Sequence, residues 1–272
     1  MMETWYYVDS GYCTPAVNMA LDEALMNWHR DKKIPPVLRF YGWDPAGLSV
    51  GYFQKVEGRI DLDGIRRHGF ELVRRQTGGR AVLHDKELTY SVIVSEDHPE
   101  MPPSVKDAYL VISKGLLEGF RNLGIHADFA VPEGKLGTTG SAVCFEEPSW
   151  YELIVDGKKA AGSAQTRKRG IILQHGSIPI DVDDEKLFDM FIYKNDRVKE
   201  RAKRAFSDKA VAINTILDGE VSFEDTKTAF EQGFKKGLGI NFEPFNLTSD
   251  QWDEVYKIAE TRYNNDDWNY AR

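Results

Sequence analysis

Apolar residues recur along the chain at two spacings, and each spacing predicts a different kind of element. Spacings of three and four residues predict amphipathic helices. Thr14 and Pro15 begin the first of these, as an N-cap followed by a proline at the first helical position, and Ser104 caps a second that ends near Leu123. Five further helices are predicted at about 60–68, 184–191, 209–217, 223–238 and 249–263.

Alternation of apolar and polar residues predicts strands, which concentrate in the first two thirds of the chain. Helices lie among these strands and also form a helical tail, which favours an α+β fold with a mixed, largely antiparallel sheet flanked by helices. No repeat or Pro/Ser-rich linker divides the chain, so a single domain over 1–272 is expected. The predicted strands are 4–9, 37–41, 48–53, 71–75, 82–95, 150–155, 159–166 and 170–181.

Composition narrows the classes of function. The net charge of −8 argues against nucleic acid as the main ligand, because phosphate contacts need a basic face. No apolar stretch approaches the length that spans a bilayer, and the first residues lack the basic start and apolar run of an export signal. Two cysteines without a CxxC spacing argue against a disulfide framework or a zinc site. We therefore expect a cytoplasmic protein with reduced thiols, no bound metal and no membrane partner.

One segment departs from the acidic balance of the chain. Residues 194–209 hold seven basic and three acidic side chains, which gives a local charge of +4. Such a segment is either a solvated helix face or a docking surface for an acidic protein partner. The basic residues are Lys194, Arg197, Lys199, Arg201, Lys203, Arg204 and Lys209.

The segment 74–85, with the sequence RRQTGGRAVLHD, has the highest density of candidate chemistry. Consecutive glycines at Gly78 and Gly79 permit positive φ and let backbone N–H groups approach a ligand closely. An ordinary hairpin turn with surface arginines is the alternative, and the segment does not match the GxxxxGK[ST] phosphate loop.

His84 within this segment invites interpretation as a catalytic base oriented by Asp85. Neighbouring residues of one strand point to opposite faces, however, so they rarely form such a relay. A structural or pocket-lining histidine is the alternative, and His175 has the same ambiguity.

Cys144 is a candidate nucleophile because it follows a stretch, 132–143, that contains three glycines and no apolar periodicity. Fifteen residues later, Lys159 is followed at once by small residues. A nearby ammonium stabilises a thiolate, so the pair would make an activated nucleophile. The alternatives are a buried inert cysteine and a solvated lysine at a hairpin tip. Cys13, just ahead of a predicted helix N-terminus, is a competing thiol.

Small residues after Lys159 point to a binding surface. If this stretch is a strand, Ala160, Gly162 and Ala164 share one face, and Lys159, Ala161 and Ser163 share the other. Small residues on both faces leave room for a ligand to lie against the strand.

Two motifs together resemble the biotin/lipoate ligase and octanoyltransferase superfamily: RRxTGGRAVxHD at 74–85 and GKKAAGSA at 157–164. Within it, the chain is similar to the LipM-type octanoyltransferases in three further stretches, and the resemblance covers nearly the whole chain. These stretches are DSG at 9–11 with NMALDEA at 18–24, SAVCF at 141–145, and PSWYEL at 148–153.

The resemblance implies a fold, an activity and two catalytic residues. It implies a catalytic core at about 32–245 and a helical C-terminal extension at about 246–272. The implied enzyme transfers octanoyl from octanoyl-acyl carrier protein to a lysine on the lipoyl domain of the glycine cleavage H protein, without a cofactor. The resemblance assigns an acyl-thioester intermediate to Cys144 and the lowering of its thiol pKa to Lys159. An amidotransferase that takes octanoyl from H protein, and an ATP-dependent lipoate ligase, are the alternatives.

We place the acyl chain between the 77–84 segment and the 159–164 strand as a hypothesis. The substrate-binding candidates are then Arg75, Thr77, Gly78, Gly79, Arg80, His84, Ala161, Gly162 and Ser163.

Overall fold

The computed structural model describes residues 2–130 and 152–271, and Cys144 lies outside them. Within them the chain forms twelve strands, nine α-helices and a π-helical turn at Ala259–Tyr263. Strands β1 to β12 span Thr4–Cys13, Val37–Trp43, Gly47–Val50, Glu71–Arg74, Val82–His84, Glu87–Ser95, Asp128–Phe129, Leu153–Val155, Lys158–Lys159, Gly162–Lys168, Ile171–Pro179 and Asn241–Pro244. Helices α1 to α9 span Pro15–Arg30, Leu62–Arg67, Val105–Asn122, Asp184–Asp189, Asp196–Ser207, Ile213–Leu217, Phe223–Leu238, Ser249–Ile258 and Asp266–Asn269.

A six-stranded sheet, the main sheet, forms the centre of the fold in the order β10–β11–β6–β2–β1–β12. The first three neighbouring pairs are antiparallel and the last two are parallel. The predicted α+β class with a mixed, largely antiparallel sheet is therefore confirmed. β12 has no counterpart among the predicted strands. It is only four residues long and mostly exposed, so it lacks the alternation of apolar and polar residues that predicts a strand.

Helices cover both faces of the main sheet. On one face, α3 and α7 pack on Leu38, Phe40 and their neighbours, and this face is the larger apolar core. The two helices approach closely because glycines line their contact: a side chain at Gly119 would overlap Phe230, and one at Gly233 would overlap the backbone of Gly119. On the other face, α1 packs against the sheet and is covered by α8 and the π-helical turn.

Two small sheets complete the fold and carry the predicted motifs. The sheet β4–β3–β5 has its own apolar core with α2, α4 and α5, and its connection from β4 to β5 is the glycine loop, residues 75–81. The sheet β7–β8–β9 brings Lys159 to the edge of the apolar core beneath α3.

Several predicted elements have different bounds in the structure, three of them because of how the strands pair. The predicted strand 82–95 is two strands, because at Asp85-Lys86 the chain leaves the small sheet for the main sheet. The predicted strand 159–166 also divides, since β9 pairs with β8 and β10 pairs with β11. The predicted helix 209–217 begins only at Ile213, because the residues before it run alongside Lys159.

The termini join the same layers as the centre of the chain. β1 lies between β2 and β12 in the main sheet, and α1 covers that sheet, although both precede residue 32. Among the residues that the structure describes, none of the helices is both long and apolar enough to cross a membrane.

Candidate functional site

A cavity of about 50 Å³, the slot, lies between the glycine loop and the main sheet. Arg75, Gly79 and His84 line it on the loop side, and Gly162 and Ser163 line it on the strand side. The structure thus brings five of the nine substrate-binding candidates together around one cavity, in the region where the sequence predicts the acyl chain.

Arg75 shapes the glycine loop from inside. All three of its guanidinium nitrogens donate to the protein: Nε to the Thr77 hydroxyl, Nη1 to Ser49, and Nη2 to the carbonyls of Gly78 and Arg80. Gly79 has φ +98°, a conformation that favours glycine, and it lies against the same guanidinium. Arg75 therefore holds the loop in its curved conformation.

Arg74, its neighbour, ties the loop to the end of the chain. Its guanidinium donates to the backbone carbonyls of Trp268 and Asn269, and also to those of Gly51, Tyr52 and Gln54. The Asn269 side chain accepts from the backbone N–H of Arg74 at 2.8 Å. The alternative of an ordinary turn with surface arginines is wrong, because both Arg74 and Arg75 are buried.

Thr77 connects the loop to a buried polar network under α1. Its hydroxyl lies 2.6 Å from Nε2 of His175, and Nδ1 of His175 lies 3.3 Å from a carboxylate oxygen of Asp22. The Nδ1–H of His175 donates to the carboxylate, so Nε2 accepts a hydrogen bond from the threonine hydroxyl. Asp22 also accepts from Arg39 at 2.7 Å and from Ser91 at 2.7 Å. This network fixes the position of the loop over the sheet.

Burial and pairing set the charges in that network. Burial lowers the pKa of His175, although its hydrogen bond to Asp22 opposes this, so the imidazole is neutral at pH 7. Burial alone would raise the pKa of Asp22, but the Arg39 guanidinium and the hydrogen bonds from His175 and Ser91 outweigh it and lower the pKa. Asp22 is therefore an ionised, fully paired carboxylate.

His84 lines the slot with both ring nitrogens engaged. Nε2 lies 2.9 Å from the Ser49 hydroxyl and Nδ1 lies 3.1 Å from Glu87. Its ring stacks on Trp43 with centroids 4.0 Å apart. Asp85 points away and pairs with Lys186 at 3.1 Å, as strand alternation predicts. The geometry fits a pocket-lining histidine.

Lys159 is 3% exposed and forms a 2.7 Å ion pair with Glu152, itself buried. Its backbone pairs with β8 on one side and with residues 209–211 on the other. The lysine is therefore not the solvated tip of a hairpin, and its charge is compensated, as a buried charge requires.

The small residues after Lys159 lie in two different environments, the apolar core beneath α3 and the slot. Ala161 lies in the apolar core beneath α3, while Gly162 and Ser163 line the slot. The Ser163 hydroxyl accepts from Tyr90 at 2.7 Å, and Gln174 donates to that phenol oxygen. Burial raises the pKa of Tyr90 to about 12, so the phenol stays protonated and donates.

Cys13, the competing thiol, is a poorer nucleophile than its position suggested. Burial raises its pKa, and the more distant Arg39 charge only partly opposes this. Its Sγ lies 3.5 Å from the Ser10 carbonyl, an orientation that fits a packed cysteine.

A larger cavity, about 240 Å³, adjoins the slot, and we name it the groove. The two share Val82 and Ser177 as lining residues. From there the groove extends past Lys158 to Phe206 and Ser207 at the end of α5. It therefore links the surface near α5 with the slot. Within the described ranges, 2–130 and 152–271, no group of three His, Cys, Asp or Glu side chains could hold a metal ion.

Sequence reasoning did not identify several residues that build the slot. Tyr41 and Trp43 line it from β2, and Thr89 and Ser177 line it from β6 and β11. The available signal was the set of polar residues at alternate positions inside otherwise apolar strands, because alternate residues share one face of a sheet.

Residues 14–235 match the model of the lipoyl protein ligase A/B catalytic domain. The chain belongs to this family. It is 59% identical over 275 residues to an octanoyltransferase LipM of Geobacillus kaustophilus and 56% identical over 275 residues to that of Bacillus subtilis. Each alignment covers 99% of this chain and 99% of the relative. A Staphylococcus aureus octanoyltransferase LipM is 56% identical, with full coverage of both chains. The resemblance to LipM-type octanoyltransferases, and the classification as an acyltransferase, are confirmed.

Solved structures of lipoate protein ligases agree on the fold. A bipartite lipoate protein ligase of Thermoplasma acidophilum superposes with a TM-score of 0.79 at 22% identity, covering 99% of this chain and 97% of that one. A lipoate-protein ligase A bound with ATP superposes with a TM-score of 0.75 at 23% identity, covering 99% of each. At these identities the likeness establishes the α+β architecture alone.

Proposed function

We propose that the protein transfers octanoyl from octanoyl-acyl carrier protein, through a thioester on Cys144, to a lysine of the lipoyl domain of the glycine cleavage H protein. Octanoyltransferase activity is named for relatives that are 52–59% identical along their whole length. The observation that carries the proposal is a slot lined by residues of both motifs that the sequence singles out, the second of which also carries the buried, ion-paired Lys159. The cytoplasmic location remains a prediction.

The slot is suited to an alkyl chain. Glycines at 79 and 162 let the chain lie close to the backbone on both sides, and Tyr41 and Trp43 supply apolar surface. Burying about six methylenes at roughly 0.8 kcal/mol each contributes on the order of 5 kcal/mol. This energy is enough to select a medium-length acyl group over a short one.

Chemistry follows from the thiol of Cys144 and the ammonium of Lys159. A free thiol is only about three per cent ionised at pH 7, and a nearby cation increases that fraction. The thiolate attacks the thioester carbonyl, the new C–S bond forms, and the carrier thiolate leaves and takes up a proton. The acceptor amine then attacks the enzyme thioester, a C–N bond forms, the C–S bond to Cys144 breaks, and a proton from the amine passes to the released Cys144 sulfur.

Glu152 keeps the Lys159 ammonium in place for these steps. An ammonium carries three N–H donors, so its bond to Glu152 is compatible with a second bond to a thiolate or to the thioester oxygen. Both steps exchange one acyl bond for another, and the amide formed is more stable than the thioester. No ATP or redox partner is required.

The acyl carrier protein is proposed to dock on α5. Three arginines, Arg197, Arg201 and Arg204, lie at helical spacing on one exposed side, and we name this set the arginine face. These arginines pair with no carboxylate of the described residues. Lys199 and Lys203, in contrast, pair with Asp189 and Glu185, so they contribute less positive charge to a partner. A positive helix on an acidic protein is complementary to an acidic carrier.

Hydrogen bonds connect the end of α5, which carries the arginine face, to the strand that holds Lys159. Lys158 Nζ donates to the Ser207 carbonyl at the end of α5, and Lys159 exchanges hydrogen bonds with residues 209 and 211. The groove runs from this end of α5 to the slot. It thus offers a path for the flexible thioester arm of a carrier docked on α5.

Intact-protein mass spectrometry tests the central step. After mixing with octanoyl-acyl carrier protein and no ATP, the wild type is expected to gain one octanoyl group and Cys144→Ser none. Cys13→Ser is the matched control and is expected to gain it as the wild type does. An octanoyl adduct that persists in Cys144→Ser would overturn the thioester proposal. Transfer only in the presence of ATP, or only from octanoylated H protein, would instead support the ligase or the amidotransferase.

Steady-state kinetics tests the docking surface. Reversing Arg201 and Arg204 to Glu is expected to raise KM for the carrier about tenfold at low salt, with kcat almost unchanged. Reversing Lys114 on α3 and Lys257 on α8, both exposed, is the charge-matched control and should leave KM unchanged. Equal KM values for the two double variants would exclude α5 as the docking surface.

A further inference from the structure

The register of the main sheet gives the depth of the slot. Gly162 on the edge strand β10 is paired with Ser177, Ser177 with Thr89, and Thr89 with Tyr41. Each step inward is one strand spacing of about 4.8 Å, so Thr89 lies about 10 Å from the edge strand. A chain that begins near Gly162 thus reaches Thr89 after about 10 Å.

Trp43 lies over this inner position. Its indole N–H donates to the Thr89 hydroxyl at 2.7 Å, and the side chain is 4% exposed. Seven carbon–carbon bonds of about 1.5 Å each, in an extended zigzag, span about 9 Å. An octanoyl chain that starts at the edge strand therefore ends where the indole begins.

A closed set of contacts holds the indole in this position. Thr89, which accepts from Trp43, donates in turn to Glu87, and Glu87 accepts from Nδ1 of His84. The His84 ring then stacks on the indole with an interplanar angle of 12°. Ser49 lies 2.9 Å from Nε2 of His84, so the histidine is held on its far side as well. The indole is thus fixed by a hydrogen bond and by a stacked ring that belong to one network.

We propose that Trp43 is the end wall of the acyl slot and sets the chain length that the enzyme accepts, with Thr89 and His84 as the positioning residues that keep it rigid. This assignment rests on the proposed function, since it requires the acyl chain to occupy the slot. A rigid wall rejects longer chains sharply, because a well-packed interior does not yield to extra methylenes without displacing side chains.

The test compares acyl carriers with six, eight, ten and twelve carbons by the rate of thioester formation on the protein. Wild type is expected to prefer eight carbons over ten. Trp43→Leu is expected to raise the ratio of the ten-carbon rate to the eight-carbon rate about 16-fold. Each of the two additional buried methylenes increases affinity about fourfold. Thr89→Val keeps the side-chain shape but removes the acceptor of the indole N–H, and is expected to raise the ratio a few fold.

Trp28→Leu is the matched control. Trp28 is also buried in the layer between α1 and the main sheet, its indole N–H donates to Glu254 at 3.0 Å, and it does not line the slot. It should lose stability as Trp43→Leu does and keep the wild-type chain-length ratio. If Trp43→Leu does not fold, Trp43→Phe and Thr89→Val decide the question through the same ratio.

Binding of free octanoate and decanoate to Cys144→Ser, measured by calorimetry, separates this inference from the proposed function. A shift toward decanoate on adding Trp43→Leu supports the end wall even if no thioester ever forms, an outcome that would reject only the proposed chemistry. A wild type that is acylated, with ratios unchanged in both Trp43→Leu and Thr89→Val, overturns the end wall and leaves the chemistry intact.

Discussion

The two faces of the main sheet are built from the same strands but differ in chemistry. Toward α3 and α7, strands β2 and β6 present Leu38, Phe40, Tyr90 and Val92, an almost wholly apolar layer. Toward α1, the alternate residues include Arg39, Thr89, Ser91 and His175, all buried. Burying polar groups costs free energy unless each is paired, so the second face is not the better choice for stability alone. The first face stabilises the fold, and the second builds the slot.

Asp22→Ala should cause a large loss of stability, because it leaves Arg39 buried without its carboxylate. We expect the free energy of unfolding to fall by about 3–5 kcal/mol, measured by urea denaturation. Phe234→Ala on the opposite face should cost a similar amount, about 3–5 kcal/mol, through the cavity it leaves.

Activity should distinguish these two variants. At a temperature where both remain folded, Phe234→Ala should keep its kcat/KM and Asp22→Ala should lose most of it, because only Asp22 orients His175 beneath the glycine loop. Equal losses of activity would mean that the two faces are not functionally distinct.

Gly119→Ala tests the packing of α3 against α7 alone. The added methyl group would overlap Phe230, and we expect the free energy of unfolding to fall by about 1–3 kcal/mol. Lys114→Ala on the exposed side of α3 is the control and should change it by less than about 0.5 kcal/mol. A changed chain-length ratio in Gly119→Ala would show that the apolar face also shapes the slot.

His175 should give the smallest effect, a dependence of stability on pH. Its pKa is lowered on folding, so below the ordinary value of 6.5 the unfolded chain binds the extra proton. Stability should therefore fall as the pH falls from about 7.5 to 5.5. Because burial also lowers the pKa of His29, the wild type has two such groups. His175→Gln should show a weaker dependence, and an unchanged slope would mean that His175 does not titrate as inferred.

Local signals in the sequence were sufficient for most of the longer elements, but they were insufficient for the short strands β7 and β12 and for which strands pair. Caps such as Thr14 and Ser104 fix helix starts through bonds to residues three positions away, so they can be read directly. The strand 82–95 was predicted as one, because its break at Asp85-Lys86 depends on which of two sheets each half joins. That choice is made by distant strands and leaves little local trace.

The candidate site likewise has parts that the sequence predicts and parts that appear only in the folded structure. The 74–85 and 157–164 motifs were visible, and the structure brings parts of both to one slot. Glu152 as partner of Lys159, and Thr89 as partner of Trp43, were not visible, since each pair forms only when separate strands meet. The roles of Cys144 and Lys159 in catalysis stay predictions until the mass measurements are made.

The contact of Arg74 with Trp268 and Asn269 has a consequence for biosynthesis. During translation this guanidinium must wait for residues synthesised 194 and 195 positions later before its acceptors exist. A growing chain that has not reached residue 268 therefore lacks these contacts of Arg74, however much of the sheet has already formed. The strand that leads into the glycine loop thus gains these carbonyl partners only after residues 268 and 269 have been synthesised.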